Sequence, residues 1–287
     1  MNPKIRFLFL IIFLLSTFSS CSVFEPAAPS AAFVIIDSIS LSTQYASEGS
    51  SSNAITDAWI ILEDGYLGTF PLPAQIPIIK QGNQKITIRG GVIENAIAGL
   101  RSAYPKYASF DTTLNFQPGI EIHLQPTIKY GASTTFIQLE DFDDASLSLT
   151  STGASSTNIQ ITNLGDPNAF EGNSGVVTLD ASHTIFETAT STPIVFSQVT
   201  PSYIELNYKA DNDFTIGVFI NYSSGGVEQR NLLSLRATTV WKKLYLSVAD
   251  LGGVVTNASS YKVFIHCEKN SVLTEAKLYF DNLKVLY

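Results

Sequence analysis

Residues 57–72, Asp57-Ala58-Trp59-Ile60-Ile61-Leu62-Glu63-Asp64-Gly65-Tyr66-Leu67-Gly68-Thr69-Phe70-Pro71-Leu72, set two apolar runs on either side of an Asp-Gly pair. Gly65 supplies the positive φ of a tight primed turn, so the stretch predicts a β-hairpin. Downstream, Lys85-Ile86-Thr87-Ile88-Arg89 alternates with a period of two and ends at Gly90-Gly91. Residues 33–41, 113–116 and 120–124 read as further strands, and 44–56 as a polar, Ser-rich loop. The expectation is a small antiparallel β-sandwich domain over residues 33–131.

Residues 132–287 continue in the same idiom. Strands are expected at 202–208, 214–222, 242–248, 261–267 and 276–287, punctuated by Ser223-Ser224-Gly225-Gly226 and Asp250-Leu251-Gly252-Gly253. Many short strands at regular spacing suggest a second sandwich. No stretch carries a convincing helical period, so the fold class is all-β.

The chain opens with Lys4 and Arg6, an apolar run over 7–15, and small residues up to Ser20. That is the layout of a secretory signal, too short to span a bilayer. Phe18-Ser19-Ser20-Cys21 resembles a bacterial lipobox, with Phe18 where Leu is usual. The resemblance implies cleavage before Cys21 and acylation of its sulfur. The expected layout is a signal at 1–20 and a Pro/Ala/Ser-rich tethered linker at 21–32, ahead of the two domains. Loss of the signal takes the net charge from -8 to about -10. A nucleic-acid surface needs clustered Lys and Arg and is excluded on this balance. With Cys21 acylated, Cys267 alone remains, so no internal disulfide forms. Cys267 shares parity with Val263 and Ile265 and reads as a buried small hydrophobe; His266 alternates outward.

The hairpin at 57–72, with Gly68-Thr69-Phe70-Pro71 and Gly82-Asn83-Gln84-Lys85-Ile86-Thr87-Ile88, resembles the PEGA family of small extracytoplasmic β domains. It departs from that pattern after Arg89. The resemblance implies a non-catalytic role in surface assembly or recognition. Gln138-Leu139-Glu140-Asp141-Phe142-Asp143-Asp144 and Leu278-Tyr279-Phe280-Asp281-Asn282-Leu283-Lys284-Val285 resemble the first and last strands of jelly-roll carbohydrate-binding modules. In those modules a structural Ca²⁺ often bridges the first strand, a following loop and the last strand. Carried onto this chain, that implies Glu140, Glu171, Asn173 and Asp281 as calcium ligands. Asp37-Ser38-Ile39 and Asp111-Thr112-Thr113 fit the O-glycosylation pattern of the Bacteroidota.

Three isolated histidines, no HExxH and no G-x-S-x-G leave no assembled catalytic motif, and an enzyme is not expected. Aromatic residues carry the binding signal. Arg101, Tyr104, Tyr107 and Phe110 lie in a non-alternating excursion broken by Pro105, and Trp241 precedes two lysines at a strand start. Tyr, Trp and Arg are the residues most used as interface anchors, so these five are the expected partner or ligand contacts. The sequence reading is a lipid-anchored interaction or scaffold subunit of an envelope complex, at the outer membrane, with envelope-protein partners. Its alternative is a surface lipoprotein that binds glycan; a glycoside-active enzyme ranks third.

Overall fold

The computed structural model describes residues 30–287, so Cys21 and the expected signal lie outside the described residues. Two layered β units follow one another along the chain. The first contains β1 (Ala32–Ile36), β2 (Ser40–Leu41), the short helix α1 (Tyr45–Glu48), β3 (Asp57–Leu62), β4 (Gly65–Pro71), β5 (Ala74–Ile78), β6 (Gly82–Ile93), β7 (Arg101–Ala103), β8 (Phe110–Phe116), β9 (Glu121–Leu124) and β10 (Thr127–Ile128). One sheet runs β5-β1-β9 and the other β4-β3-β6-β7, with β8 also on β6. Period-two alternation points Val34, Ile36, Ile76 and Ile78 of the first sheet at Ile60, Leu62, Ile86 and Ile88 of the second.

The expected hairpin is β3–β4, with a bulge between Ile60 and Ile61. The expected strand 33–41 is broken at the exposed Asp37-Ser38 bend, because β1 pairs with β5 and β9 while β2 pairs with β10. The β1–β9 and β2–β10 pairings are parallel, so this unit mixes both ladder types.

The second unit contains β11 (Phe136–Glu140), β12 (Leu149–Ser151), β13 (Gln160–Ile161), β14 (Gly175–Leu179), β15 (Ile185–Thr190), β16 (Tyr203–Ala210), β17 (Phe214–Tyr222), β18 (Val227–Leu235), β19 (Thr238–Ser247), β20 (Ala258–Glu268) and β21 (Ala276–Leu286). Its sheets run β13-β14-β21-β16-β19, with β11 on β21, and β12-β15-β20-β17-β18. Between them lie Ile204, Leu206, Leu246, Phe280 and Val285 from one side and Phe186, Ile216, Val218, Val263 and Ile265 from the other. Cys267 is buried at the edge of this core, and burial pushes its thiol up to about 12, as suits an inert small side chain.

The first unit docks on the outward side of the β13-β14-β21-β16-β19 sheet. Tyr203, Tyr245 and Leu286 of that sheet belong to the core of the first unit. This sheet is therefore covered on both sides, and the β12-β15-β20-β17-β18 sheet is left with an open outer face.

Candidate functional site

Two places in the molecule concentrate polar chemistry: the seam between the units, and the open face of the second sandwich. The seam gathers Tyr104, Tyr107, Tyr130 and Tyr245 around Glu205, all of them buried. Tyr104 donates to Glu205 Oε1 at 2.9 Å and Tyr130 to Glu205 Oε2 at 2.9 Å. The Lys243 ammonium sits 3.2 Å from the same carboxylate. The Tyr107 and Tyr245 hydroxyls are 3.1 Å apart, and Tyr245 accepts the Ala54 amide at 2.9 Å. Lys284 donates to the Ser50 carbonyl at 2.6 Å and to Tyr130 at 3.2 Å, its ammonium over the Tyr130 ring. Burial and the nearby Lys243 lower Lys284 to about 8. At the end of β19, the left-handed Asn95 (φ 53) aims its side-chain oxygen at the Ser247 amide, 2.8 Å away. Every group in this seam is used within the chain.

That arrangement corrects the expected partner contacts. Tyr104 and Tyr107 are inside the seam. Arg101 makes a two-pronged ion pair with the buried Asp57 at 2.6 and 2.8 Å, and Phe110 packs on its own unit's core. Trp241 donates its ring N–H to the Asn168 carbonyl at 3.1 Å and packs on Phe170 and Tyr279, pinning a loop of its own unit. Tyr104 and Tyr107 thus hold the chain to itself, whereas the half-buried Trp241 also borders a cavity of about 420 Å³ with Tyr208 and Lys242.

Of the expected calcium ligands, Glu171 and Asp281 are neighbours, the Glu171 amide standing 3.4 Å from Asp281, and the Asn173 side-chain oxygen is buried without a partner among the described residues, whereas Glu140 is engaged elsewhere. Glu140 spends both oxygens on the backbone amides of Phe142 and Ser148. Glu171 accepts from Ser50, and Asn173 offers its backbone amide to Asp143. Asp281 takes the Ser174 hydroxyl at 2.6 Å and the Asn282 amide at 2.7 Å, and burial pushes its carboxyl up to about 7. Among the described residues, no group of three or more His, Cys, Asp or Glu side chains is placed to hold a metal ion.

The open face is the second place. Residues that alternate with the core there include Glu187 on β15, Lys262, Phe264 and His266 on β20, Gly217 and Phe219 on β17, and Gln229 and Asn231 on β18. Phe264 is fully buried yet belongs to neither hydrophobic core. Small residues flank it on both neighbouring strands, Ala189 and Gly217, and the half-buried Phe219 leans on it at 4.8 Å between ring centres. A Cβ on Gly217 would stand 2.4 Å from the Phe264 ring and from the Arg230 carbonyl. This glycine lets the ring lie flat on the sheet. Gly217→Ala should force the ring up and cost about 1–3 kcal/mol by overpacking, read as a lower denaturation midpoint.

Above that ring, Gln229 donates to Glu187 Oε2 at 2.8 Å. Two strands, β20 and β17, stand between β15 and β18. Three inter-strand spacings amount to about 14 Å, so the sheet must curl toward this face for the side chains to meet. Glu187 also takes the Thr152 hydroxyl at 2.6 Å and lies 3.0 Å from His266 Nδ1. The result is a polar surface closed over the buried Phe264 ring, with the half-buried Phe219 beside it. At one end, Thr215, Ser234 and His266 lead into a cavity of about 850 Å³ bordered by Asp213, Arg236 and Glu268. The outward parity of His266 was legible in sequence, but Glu187 was not. A glycine in mid-strand, Ile216-Gly217-Val218, was the available signal for a close approach there.

No family model matches the chain, and no curated protein sequence matches it. Among solved structures, its neighbours include β-sandwich domains of carbohydrate-binding modules. The family 11 module of a cellulosomal cellulase of Clostridium thermocellum aligns at 16% identity, covering 52% of this chain and 92% of that one, with a TM-score of 0.38. A xylan-binding domain from Paenibacillus barcinonensis aligns at 13% identity, covering 54% and 96%, also at 0.38. A third structure, described for the promiscuous specificity of carbohydrate-binding modules, covers 80% of this chain and 85% of its own at 16% identity and a TM-score of 0.36. The likeness is one of β-sandwich architecture alone.

Proposed function

We propose that this is a non-catalytic envelope lipoprotein, tethered through acylated Cys21, that holds an extended glycan on the open face of its second unit. The observation that supports this most is the Glu187–Gln229 bond across two intervening strands, over the buried Phe264 ring. A protein surface does not ordinarily bury a phenylalanine on its solvent side and fence it with a saturated carboxylate. A glycan has both faces this site offers partners for: C–H patches that lie on aromatic rings, and hydroxyls that pair with amides and carboxylates. Phe219 supplies the ring. Gln229, Asn231, Asn221, Lys262 and His266 supply donors and acceptors along β17, β18 and β20. Glu187 is a positioning residue, held by Thr152 and His266 so that Gln229 is fixed.

Tyr104 and Tyr107, two of the expected protein-partner contacts, are taken up by the chain's own seam, which favours the glycan reading over the scaffold one. The test is a glycan array with the detergent-solubilised full chain, followed by titration calorimetry on the best ligand. Phe219→Ala and Glu187→Gln should each weaken binding about tenfold, the equivalent of about 1.4 kcal/mol, with near-UV dichroism unchanged. Unaltered affinity in both variants, or an array without any bound glycan, would remove this reading.

A further inference from the structure

The first unit has two ends, and they differ. Its far end is the seam: β6 finishes at Ile93 and runs straight into Glu94 and Asn95, which meet the second unit. Its near end gathers the turn 63–64, the turn 79–81, the loop 117–120, and the beginning of the described chain at Ser30. The registers fix this. Ala32 pairs with Ile78, Phe33 with Glu121, Leu62 with Ile86, and Gly82 with Phe116. The Gly119 amide donates to the Ala31 carbonyl at 3.0 Å, and Lys80 pairs with Asp64 at 2.5 Å across two of the turns.

This near end is unusually apolar at its surface. Ile79 is 64% exposed, Tyr66 57%, Ile120 46% and Leu67 41%. Tyr66, Leu67 and Ile79 border one groove. Because β1 is the middle strand of β5-β1-β9, the chain enters between Ile79 on one side and Ile120 on the other. Eight residues, 22–29, lie between Cys21 and Ser30, and these nine steps reach at most about 32 Å.

We infer that this end is a foot that rests on a lipid bilayer, with Ile79, Ile120, Leu67 and Tyr66 entering the interfacial layer beside the acyl anchor. The inference builds on the lipoprotein reading of Cys21. A tether of this length keeps the surface around its entry point close to the membrane, and here that surface is exposed aliphatic and phenolic side chain. Tyr and large aliphatics suit the interfacial layer, where one part of the side chain is apolar and the other wet. The charges nearby, Glu63, Asp64, Glu121, Lys80 and Lys85, make no cationic patch, so the foot needs no anionic lipid. The first unit then stands as a pedestal, with β6, twelve residues and about 40 Å long, lifting the second unit from the surface.

The experiment uses the acylated full chain in phosphatidylcholine vesicles whose lipid tails carry bromine. A fluorophore is placed at Ile79→Cys, at Ile120→Cys, or at the 81% exposed Val272→Cys of the second unit. Labelling is selective, since Cys267 is buried and unreactive and Cys21 is acylated. Positions 79 and 120 should be quenched at least about twofold more than position 272, with no change on adding salt. Equal quenching at all three positions in an acylated chain overturns the foot alone. Mass spectrometry that finds Cys21 without acyl groups overturns the anchor, and the foot with it.

Discussion

Glu205→Gln is expected to destabilise the protein by about 3–5 kcal/mol, the cost of stranding a buried charge. Glu205 is fully buried and its carboxylate is shared by Tyr104, Tyr130 and the Lys243 ammonium, whose side chain is 2% exposed. Glutamine keeps the shape but removes the charge, leaving Lys243 with only the Asn207 oxygen at 3.3 Å as a partner. The amide also presents a donor where two phenols donate. For a unit of this size the loss corresponds to about 10 °C in Tm. The control is the pair Glu205→Gln/Lys243→Met, which should recover most of the loss because the uncompensated charge is gone. Differential scanning calorimetry reads both. A Glu205→Gln protein as stable as wild type would mean that the seam is wet or loosely closed, and the two units would then not be one body.

The seam also explains how much was legible in the sequence. Alternation fixes strands and their inward faces, and it did so at Lys85-Ile86-Thr87-Ile88-Arg89 and across residues 214–222. It cannot tell solvent from a satisfied polar interface. Tyr203-Ile204-Glu205-Leu206-Asn207-Tyr208 reads as apolar-in and polar-out, yet Glu205 and Asn207 are both buried. The Ser-rich stretch 44–56 has the composition of a free loop, but Ser50, Ser52 and Ala54 satisfy Lys284, Asn207 and Tyr245 across the seam. The tyrosines at 104 and 107 were the one clear signal of an interface. What sequence could not supply was the partner, because it is another part of the same chain.

The open face was hidden for a different reason. Glu187, Gln229 and His266 are far apart in the chain and come together only through the order β15-β20-β17-β18. Strand order is not written in local periodicity. Once the order is known, the meeting of Glu187 and Gln229 requires a curled sheet, and the buried Phe264 explains why a glycine occupies the middle of β17.

Raising the pH above 10 should unfold the protein cooperatively, through the same seam. Burial, reinforced by the Glu205 charge, holds the phenols of Tyr104, Tyr107, Tyr130 and Tyr245 far above their ordinary value of 10. These are acids whose folded value is raised, so the folded state keeps protons that the unfolded chain releases. Their contribution to stability is complete below pH 10 and falls as pH rises beyond it. At pH 11 each phenol costs about 1.4 kcal/mol, and the four together about 5–6 kcal/mol, comparable to the whole stability of an ordinary domain. Lys284 acts in the opposite sense: burial penalises its charged form, and relief of that penalty between about 8 and 10.5 returns about 3 kcal/mol, so the net loss is about 2 kcal/mol at pH 11 and grows steeply beyond it as the phenol costs rise together. Absorbance at 295 nm should therefore show these phenols ionising together with loss of near-UV dichroism, in one sharp step between about pH 11 and 12. Tyr107→Phe removes one of the four and should move that step to higher pH while leaving Glu205 with its partners. Gradual ionisation of all twelve tyrosines around pH 10, with dichroism intact, would show that the seam admits water and that its phenols titrate as surface groups.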